Sequence, residues 1–175
     1  MASGGLPFDA DGAPAFQLIS GLAAEDALGP VMQVMGQAFD PLYGEAWNHS
    51  QTRSMLALPL THVVLAETIA TRMDQSGLPI GFALTRRVAD EEELLLIAVA
   101  PDWRQFGAGT ALLNLVLENA RAAGVTRLHL EMRSNNSAIR LYSKFGFEPV
   151  GLRKDYYKGS DSRHYDALTL ATMLC

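Results

Sequence analysis

The chain has 175 residues, 49% hydrophobic and 19% charged, with a formal net charge of −5, which suits one globular domain with a full core. No apolar run approaches the roughly 18 residues that span a bilayer, the first residues lack the basic start and apolar middle of a signal peptide, and the single cysteine, Cys175, ends the chain. An intrachain disulfide and a thiolate metal cluster are thereby excluded, redox chemistry is not expected, and a soluble cytoplasmic protein is. Charge divides along the chain: residues 1–100 carry four Lys/Arg and twelve Asp/Glu, whereas 101–175 carry ten and seven. An anionic ligand is better received by the second half, a cationic one by surface from the first.

In chain order, Met1–Pro14 is rich in Gly, Ala, Asp and Pro and reads as a flexible tail, leaving 15–175 as the domain. Ala15–Ser20 reads as a strand and Glu25–Phe39 as a helix with Leu28, Val31, Met32, Met35 and Phe39 on one side. A weaker helix follows at Ser50–Leu58. Three β-type runs come next, at 61–67, at 79–87 with Ile80, Phe82 and Leu84 alternating, and at 93–99, the last apolar on both faces as in mid-sheet. Gly109–Ala123 is helical, with Leu112, Leu113, Val116, Leu117 and Ala120 as its buried stripe and Gly124 as its stop. Residues 126–132 form a strand with Leu128, Leu130 and Met132 opposite His129 and Glu131; a helix over about Asn136–Phe145 and two closing strands, 147–152 and 166–174, complete an α/β order.

Between the central strand and its helix lies PDWRQFGAGTALL, residues 101–113. A strand that runs through such a loop into a helix collects backbone N–H groups at the helix N-terminus, where unpaired donors and the dipole favour an anion. Gly107 and Gly109 have no Cβ, so a phosphate can approach the backbone. A P-loop needs a Lys that is absent here, and a dinucleotide fingerprint needs a third glycine where Leu112 stands.

Arg104–Gly109 resembles the acetyl-CoA loop [QR]-x-x-G-x-[GA] of the GNAT superfamily of N-acetyltransferases. LEMRSNNSAIRLYSKFGF at 130–147 is similar to that superfamily's second signature, L-E-V-R-x-x-N-x-x-A-x-x-L-Y-x-x-x-G-F, in the same order along the chain. Arg153, Tyr156, Tyr157, Asp166 and Ala167 further resemble the R-x-x-Y-Y and D-A features of bacterial ribosomal-protein alanine N-acetyltransferases, and Phe39 with Trp47 their N-terminal F-x(n)-W. The resemblance implies a GNAT-like single domain, with a mixed, mostly antiparallel central sheet flanked by helices. It departs from the family in spacing: three residues separate Glu131 from Asn135 where four are usual.

The resemblance also implies direct attack of a neutral primary amine on the thioester of acetyl-CoA as co-substrate, the amine being that of a protein N-terminus. Glu131 would be general base and Tyr142 general acid. Ala98, Val99 and Ala138 would contribute to the cofactor site, with Val99 or a neighbour as oxyanion donor; Arg104, Gln105, Phe106, Gly107, Ala108, Gly109 and Thr110 would bind the pyrophosphate; Asn135 would contact the pantetheine arm or order the turn, and Trp47, Tyr156 and Tyr157 would meet the acceptor. An α-amine of pKa near 7.7–8.0 is about a tenth to a fifth neutral at pH 7, so it needs little help from a base. A phenol near 10 facing a thiol near 8.5 is uphill by roughly 2 kcal/mol as a proton donor, which makes Tyr142 a hydrogen-bond partner of the sulfur as readily as an acid.

Other readings stand beside these. Glu131 is alternatively solvated or paired with Arg133, Tyr142 is alternatively core, and Tyr156 and Tyr157 are alternatively turn packing. Glu93, at period two with Leu95, Ile97 and Val99, is a reserve base. The histidines have no metal-ligand spacing, so no metal site is expected; neither a nucleic acid nor a membrane is expected as partner. A small-amine acetyltransferase and a non-catalytic CoA-binding module are the alternatives.

Overall fold

A computed structural model describes residues 15–69 and 77–174; the expected tail over 1–14, and Cys175, lie outside the described residues. The elements are β1 (Phe16–Ser20), α1 (Ala24–Ala38), α2 (His49–Leu56), β2 (Thr61–Thr68), β3 (Pro79–Val88), β4 (Glu91–Val99), α3 (Ala108–Ala122), β5 (Arg127–Arg133), α4 (Ile139–Lys144), β6 (Glu148–Lys158) and β7 (His164–Met173). The strands form one sheet in the order β1-β2-β3-β4-β5-β7-β6, antiparallel at every junction except the parallel pair β4–β5. The apolar run at 93–99 lies at the middle of that sheet, as expected.

Each face of the sheet has its own core. Leu112, Leu113, Val116, Leu117 and Ala120 of α3 pack with Leu128, Leu130 and Tyr142 on one side. Ala27, Val31, Val34 and Met35 of α1, with Leu56 of α2, cover Phe82 and Leu84 on the other. The alternation expected for 79–87 is not seen, because residues 80–85 are all buried: β3 lies under helices on both faces. The final helix is shorter than expected, starting at Ile139, because Asn136 holds the preceding turn by accepting the Ala138 N–H at 3.0 Å. β6 runs six residues past its expected end to Lys158 and forms the exposed sheet edge.

A β-bulge interrupts β4. Leu84 pairs with Leu96 and Thr85 with Leu94, so Leu95 is the extra residue. Period two restarts beyond it: Leu94 lies in the α3-side core and so do Ile97 and Val99, while Leu95, Leu96 and Ala98 belong to the other core. Glu93 therefore does not share a face with Ile97 and Val99, which corrects the pattern read from the sequence. The same irregularity limits the parallel pairing to Glu91–Leu94 against Arg127–Leu130. Beyond those pairs β4 and β5 part.

Opposite the bulged strand, α3 packs closely on β3. A Cβ built at Gly81 meets the Ala98 carbonyl oxygen at 3.0 Å and Leu112 Cδ1 at 3.1 Å. Gly81→Val is expected to lower stability by about 1–3 kcal/mol through overpacking, read as a lower urea midpoint at unchanged m-value.

Candidate active site

The ladder between β3 and β4 fixes which backbone groups enter the gap. The Ala100 N–H donates to Ile80 O at 2.8 Å, which sets the phase of the antiparallel pair: Leu96 and Ala98 turn their polar groups to β3, and Ile97 and Val99 turn theirs toward β5. With β5 parted, Val99 O accepts from Arg104 Nε at 3.1 Å, and the Val99 N–H faces the opening.

Past β4 a 3-10 turn over Pro101–Trp103 anchors the buried Trp103 in the core. Gln105 and Gly107 then take φ of +68° and +88°, a conformation that costs little only at the glycine. Gly107 is the N-cap of α3 and no side chain caps that helix. The first intrahelical bond is Ala111 N–H to Gly107 O, so the N–H groups of Ala108, Gly109 and Thr110 lack helical partners and the loop fits an anion. Arg104 acts differently from expectation: besides Val99 O it donates to Ala38 O at 2.7 Å, tying the loop to the end of α1.

A groove of about 760 Å³ runs from this loop to α4, lined among others by Ala98, Val99, Arg104, Gln105, Gly107, Gly109, Thr110, Asn136, Ala138, Arg140, Tyr142 and Lys144. Three residues expected on it are elsewhere. Ala108 is buried in the core beneath α3, Phe106 is exposed on the loop, and Asn135 turns to accept from Arg133. Asn136 lines the groove in place of Asn135. The cue was available, since exactly four residues separate Glu131 from Asn136, the family's usual spacing.

A second cavity, about 320 Å³, opens into the same gap and is lined by Phe39, Glu45, Trp47, Leu94–Ile97, Glu131, Asn136, Tyr142 and Tyr157, among others. Tyr142 lies at the junction, lining both cavities while 5% exposed; it packs on Phe147 with ring centroids 5.7 Å apart. Core and cleft are thus one position for this residue. Burial first, and the nearby Glu45 charge second, push its phenol far above the ordinary tyrosine value.

Glu131 pairs with Arg153 at 3.3 Å and not with Arg133, whose partner is Glu45. Tyr157 reaches the cavity because of an irregularity in β6. Arg153 pairs with Ala167 and Tyr157 with Tyr165, so Lys154, Asp155 and Tyr156 stand opposite Asp166 alone. The Asp166 carboxylate accepts the Asp155 N–H at 2.9 Å, where Asp155 has φ +53°. The R-x-x-Y-Y and D-A residues are therefore one bulge and its clip. Tyr156 falls outside, 52% exposed, edge-on to Tyr157 at 5.1 Å. Glu93 lines neither cavity.

Of the wall formed by the α1–α2 connection, the sequence singles out Phe39 and Trp47 but not Tyr43 and Glu45. Arg133, 6% exposed, stacks on Tyr43 at 3.3 Å and pairs with Glu45; Tyr43 meets Tyr165 edge-on at 5.3 Å, and Leu42 O accepts the Ser160 N–H at 2.8 Å. No local motif marks these residues, which meet only through contacts distant in sequence.

Comparison with known proteins agrees with this geometry. Residues 32–147 match the model of the acetyltransferase (GNAT) family. The [ribosomal protein bS18]-alanine N-acetyltransferase of Escherichia coli (strain K12) is 40% identical over 101 residues, 57% of this chain and 68% of that protein. The protein of the same name from Haemophilus influenzae is 39% identical over 95 residues, 54% of this chain and 65% of that protein. The solved structure of the Escherichia coli ribosomal-protein-S18-alanine N-acetyltransferase superposes with a TM-score of 0.76 at 28% identity, covering 91% of this chain and 94% of that one. Arabidopsis thaliana NAA60 in complex with a bisubstrate analogue shares the fold at 16% identity, TM-score 0.72, over 90% of this chain and 98% of that one. The parted strands, the uncapped helix loop and the family match lead to one conclusion: this chain belongs to the GNAT family and is an N-acetyltransferase.

Proposed function

We propose that the protein transfers the acetyl group of acetyl-CoA to the α-amine of a protein N-terminus. The observation that carries this reading is the meeting of two cavities at Tyr142, one leading to the uncapped α3 N-terminus and the other walled by Trp47, Glu131 and Tyr157. A thioester donor and an amine acceptor enter from opposite sides of a parted sheet. The similarity to the bS18-alanine N-acetyltransferases supports an N-terminal acceptor.

In this reading acetyl-CoA supplies the activated acyl group, and the chain supplies position and polarity. The donors of Gly107–Thr110 hold the pyrophosphate, with Arg140 and Lys144 on the same groove. The Val99 N–H, left free by the parting of β5, holds the carbonyl oxygen as charge develops on it. Glu131 takes the proton from the amine. Tyr142 serves the departing sulfur as a hydrogen-bond donor: its raised phenol makes full proton transfer steeper than between unperturbed groups and keeps the hydroxyl protonated at working pH. Asn136 orders the turn into α4 and borders the groove. Its four-residue spacing from Glu131 is the family's, and the one-residue shortening then falls between Asn136 and Tyr142.

The deciding measurement is thiol release from acetyl-CoA with alanine-initiated peptides, lysine peptides and polyamines. The N-terminal peptides are expected to give the highest kcat/KM. Preference for polyamines selects the small-amine reading, and cofactor binding without any turnover removes both enzymatic ones. Gly107→Ala meets no protein atom within 4 Å but places a side chain at φ +88°, so stability should fall by about 1–2 kcal/mol and acetyl-CoA affinity by tenfold or more in calorimetry; unchanged affinity removes the loop from the cofactor site. Tyr142→Phe should lower kcat and leave acetyl-CoA affinity within about twofold, since the lost hydroxyl acts only as the sulfur departs.

Tyrosine ionisation gives a pH signature. Tyr157 is pushed up to about 12, by burial first and then by the Glu131 and Glu45 charges, and Tyr142 is raised in the same direction. Unfolded tyrosine ionises near 10, so the stability these residues contribute is fully present below about pH 10 and is lost above it, as the unfolded chain releases protons that the folded one retains. The urea midpoint should be flat from pH 7 to about 9.5 and then fall, and Tyr157→Phe should make the fall shallower.

A further inference from the structure

Glu45 has a place that neither motif assigns to it. It is a carboxylate that lines both cavities, whereas Glu131 lines only the acceptor one. Its side chain is 16% exposed, and its bonds to Arg133 measure 3.3 Å from Nε and 3.5 Å from Nη2. Charge-assisted pairs of this kind close to about 2.7–2.9 Å, so Arg133 orients the carboxylate and leaves acceptor capacity on both oxygens. Arg133 is itself engaged elsewhere, stacked on Tyr43 and donating to Asn135. The other charged or titratable groups on the two cavities that Glu45 lines are Glu131 on β5, Tyr142 on α4 and Tyr157 on β6 in the smaller one, and Asp40, Tyr43, Arg104, Arg140 and Lys144 along the groove; among the described residues, Arg133 is the one cation in ion-pair contact with Glu45.

We propose that Glu45 is the docking carboxylate for the protonated acceptor amine, holding the ammonium at the junction of the two cavities from which Glu131 then takes one proton. An amine of pKa near 8 arrives at pH 7 mostly as a cation. Entering a half-buried cleft costs it hydration unless an anion replaces the water, and an ammonium carries three donors for the oxygens that Arg133 leaves underused. The proton account closes simply. The ammonium gives one proton to Glu131, which releases it to solvent; the C–N bond forms as the C–S bond breaks, and the second amine proton leaves with the thiolate as free thiol. Glu45 is unchanged throughout. The proximity of its charge to the reacting end is also visible in the upward push on Tyr142.

This inference rests on the acetyl-transfer reading of the site but not on the acceptor being a protein N-terminus. The test is kcat/KM against pH for the wild type, Glu45→Gln and Glu131→Gln, using whichever amine the wild type acetylates from a panel of N-terminal peptides, lysine peptides and polyamines. Glu45→Gln should raise the acceptor KM at pH 7 about tenfold with kcat within threefold and acetyl-CoA affinity unchanged. Glu131→Gln should lower kcat instead. Because the Gln variant can use only amine already neutral in solution, its deficit should shrink as the pH rises through the amine's own pKa, to less than threefold by pH 9.5 for an α-amine and only above about pH 10.5 for a lysine-type amine. A deficit constant with pH would make Glu45 a structural wall residue, and an acceptor KM within twofold of wild type would overturn the proposal. A wild type active only on polyamines defeats the N-terminal reading and leaves this test intact; no turnover with any amine defeats both.

Discussion

The extra residue at Leu95 is the constraint on which the rest of the site depends. In a regular parallel pair β4 and β5 would stay hydrogen-bonded to their ends, and the polar groups of Ile97 and Val99 would be consumed by the ladder. The bulge reverses the side-chain alternation, increases the local twist and ends the pairing at Leu94 and Leu130. A sheet interior is a costly place for unpaired backbone groups. Part of that cost is met by Arg104, which satisfies Val99 O and fastens the same loop to Ala38; the remaining donor is free to face a ligand. One inserted residue thus creates the gap, the donor within it and the need for the arginine that closes one side.

The loop side of the gap follows from local pattern, whereas on the other side the sequence singles out Trp47, Glu131 and Tyr157 but not Tyr43, Glu45 and Arg133. The loop from Arg104 to Gly109 sits between a strand and a helix whose periodicities are unambiguous, so its position in the fold follows from local pattern. Even there, periodicity could not tell Ala108, rotated into the core, from Gly109, rotated to the groove, until the helix phase was fixed by the N-cap at Gly107. Asn135 keeps the signature's count to Tyr142 and Asn136 its count from Glu131, so spacing alone does not say which of the two borders the groove. Glu93 was misplaced because a bulge is invisible to a period-two count.

The wall of the second cavity illustrates why such regions resist reading. Tyr43 and Glu45 lie in a short connection of no particular pattern, and what gives them meaning is Arg133, almost ninety residues later. Tyr157 enters the cavity only because three residues of β6 are crowded opposite Asp166. Both features are tertiary. The motif residues Arg153, Tyr156, Tyr157 and Asp166 stand out in the sequence as a group, yet their arrangement as a bulge, its clip and an ion pair to Glu131 emerges only from register.

Arg133 is the residue whose burial most needs justification. A guanidinium 6% exposed forfeits most of its hydration, and replacing such buried charges with apolar groups is often neutral or stabilising. Its contacts distribute that cost over three segments: the Tyr43 ring and Glu45 carboxylate of the α1–α2 connection, Asn135 in the turn before α4, and, at 5.7 Å, the Tyr165 ring of β7. These segments surround the gap left by the bulge, and without a common anchor each would be free to move independently. Arg133 therefore holds in place, at some expense in stability, the walls of a cleft that the sheet itself no longer closes, and it fixes the carboxylate of Glu45 in the wall that the two cavities share.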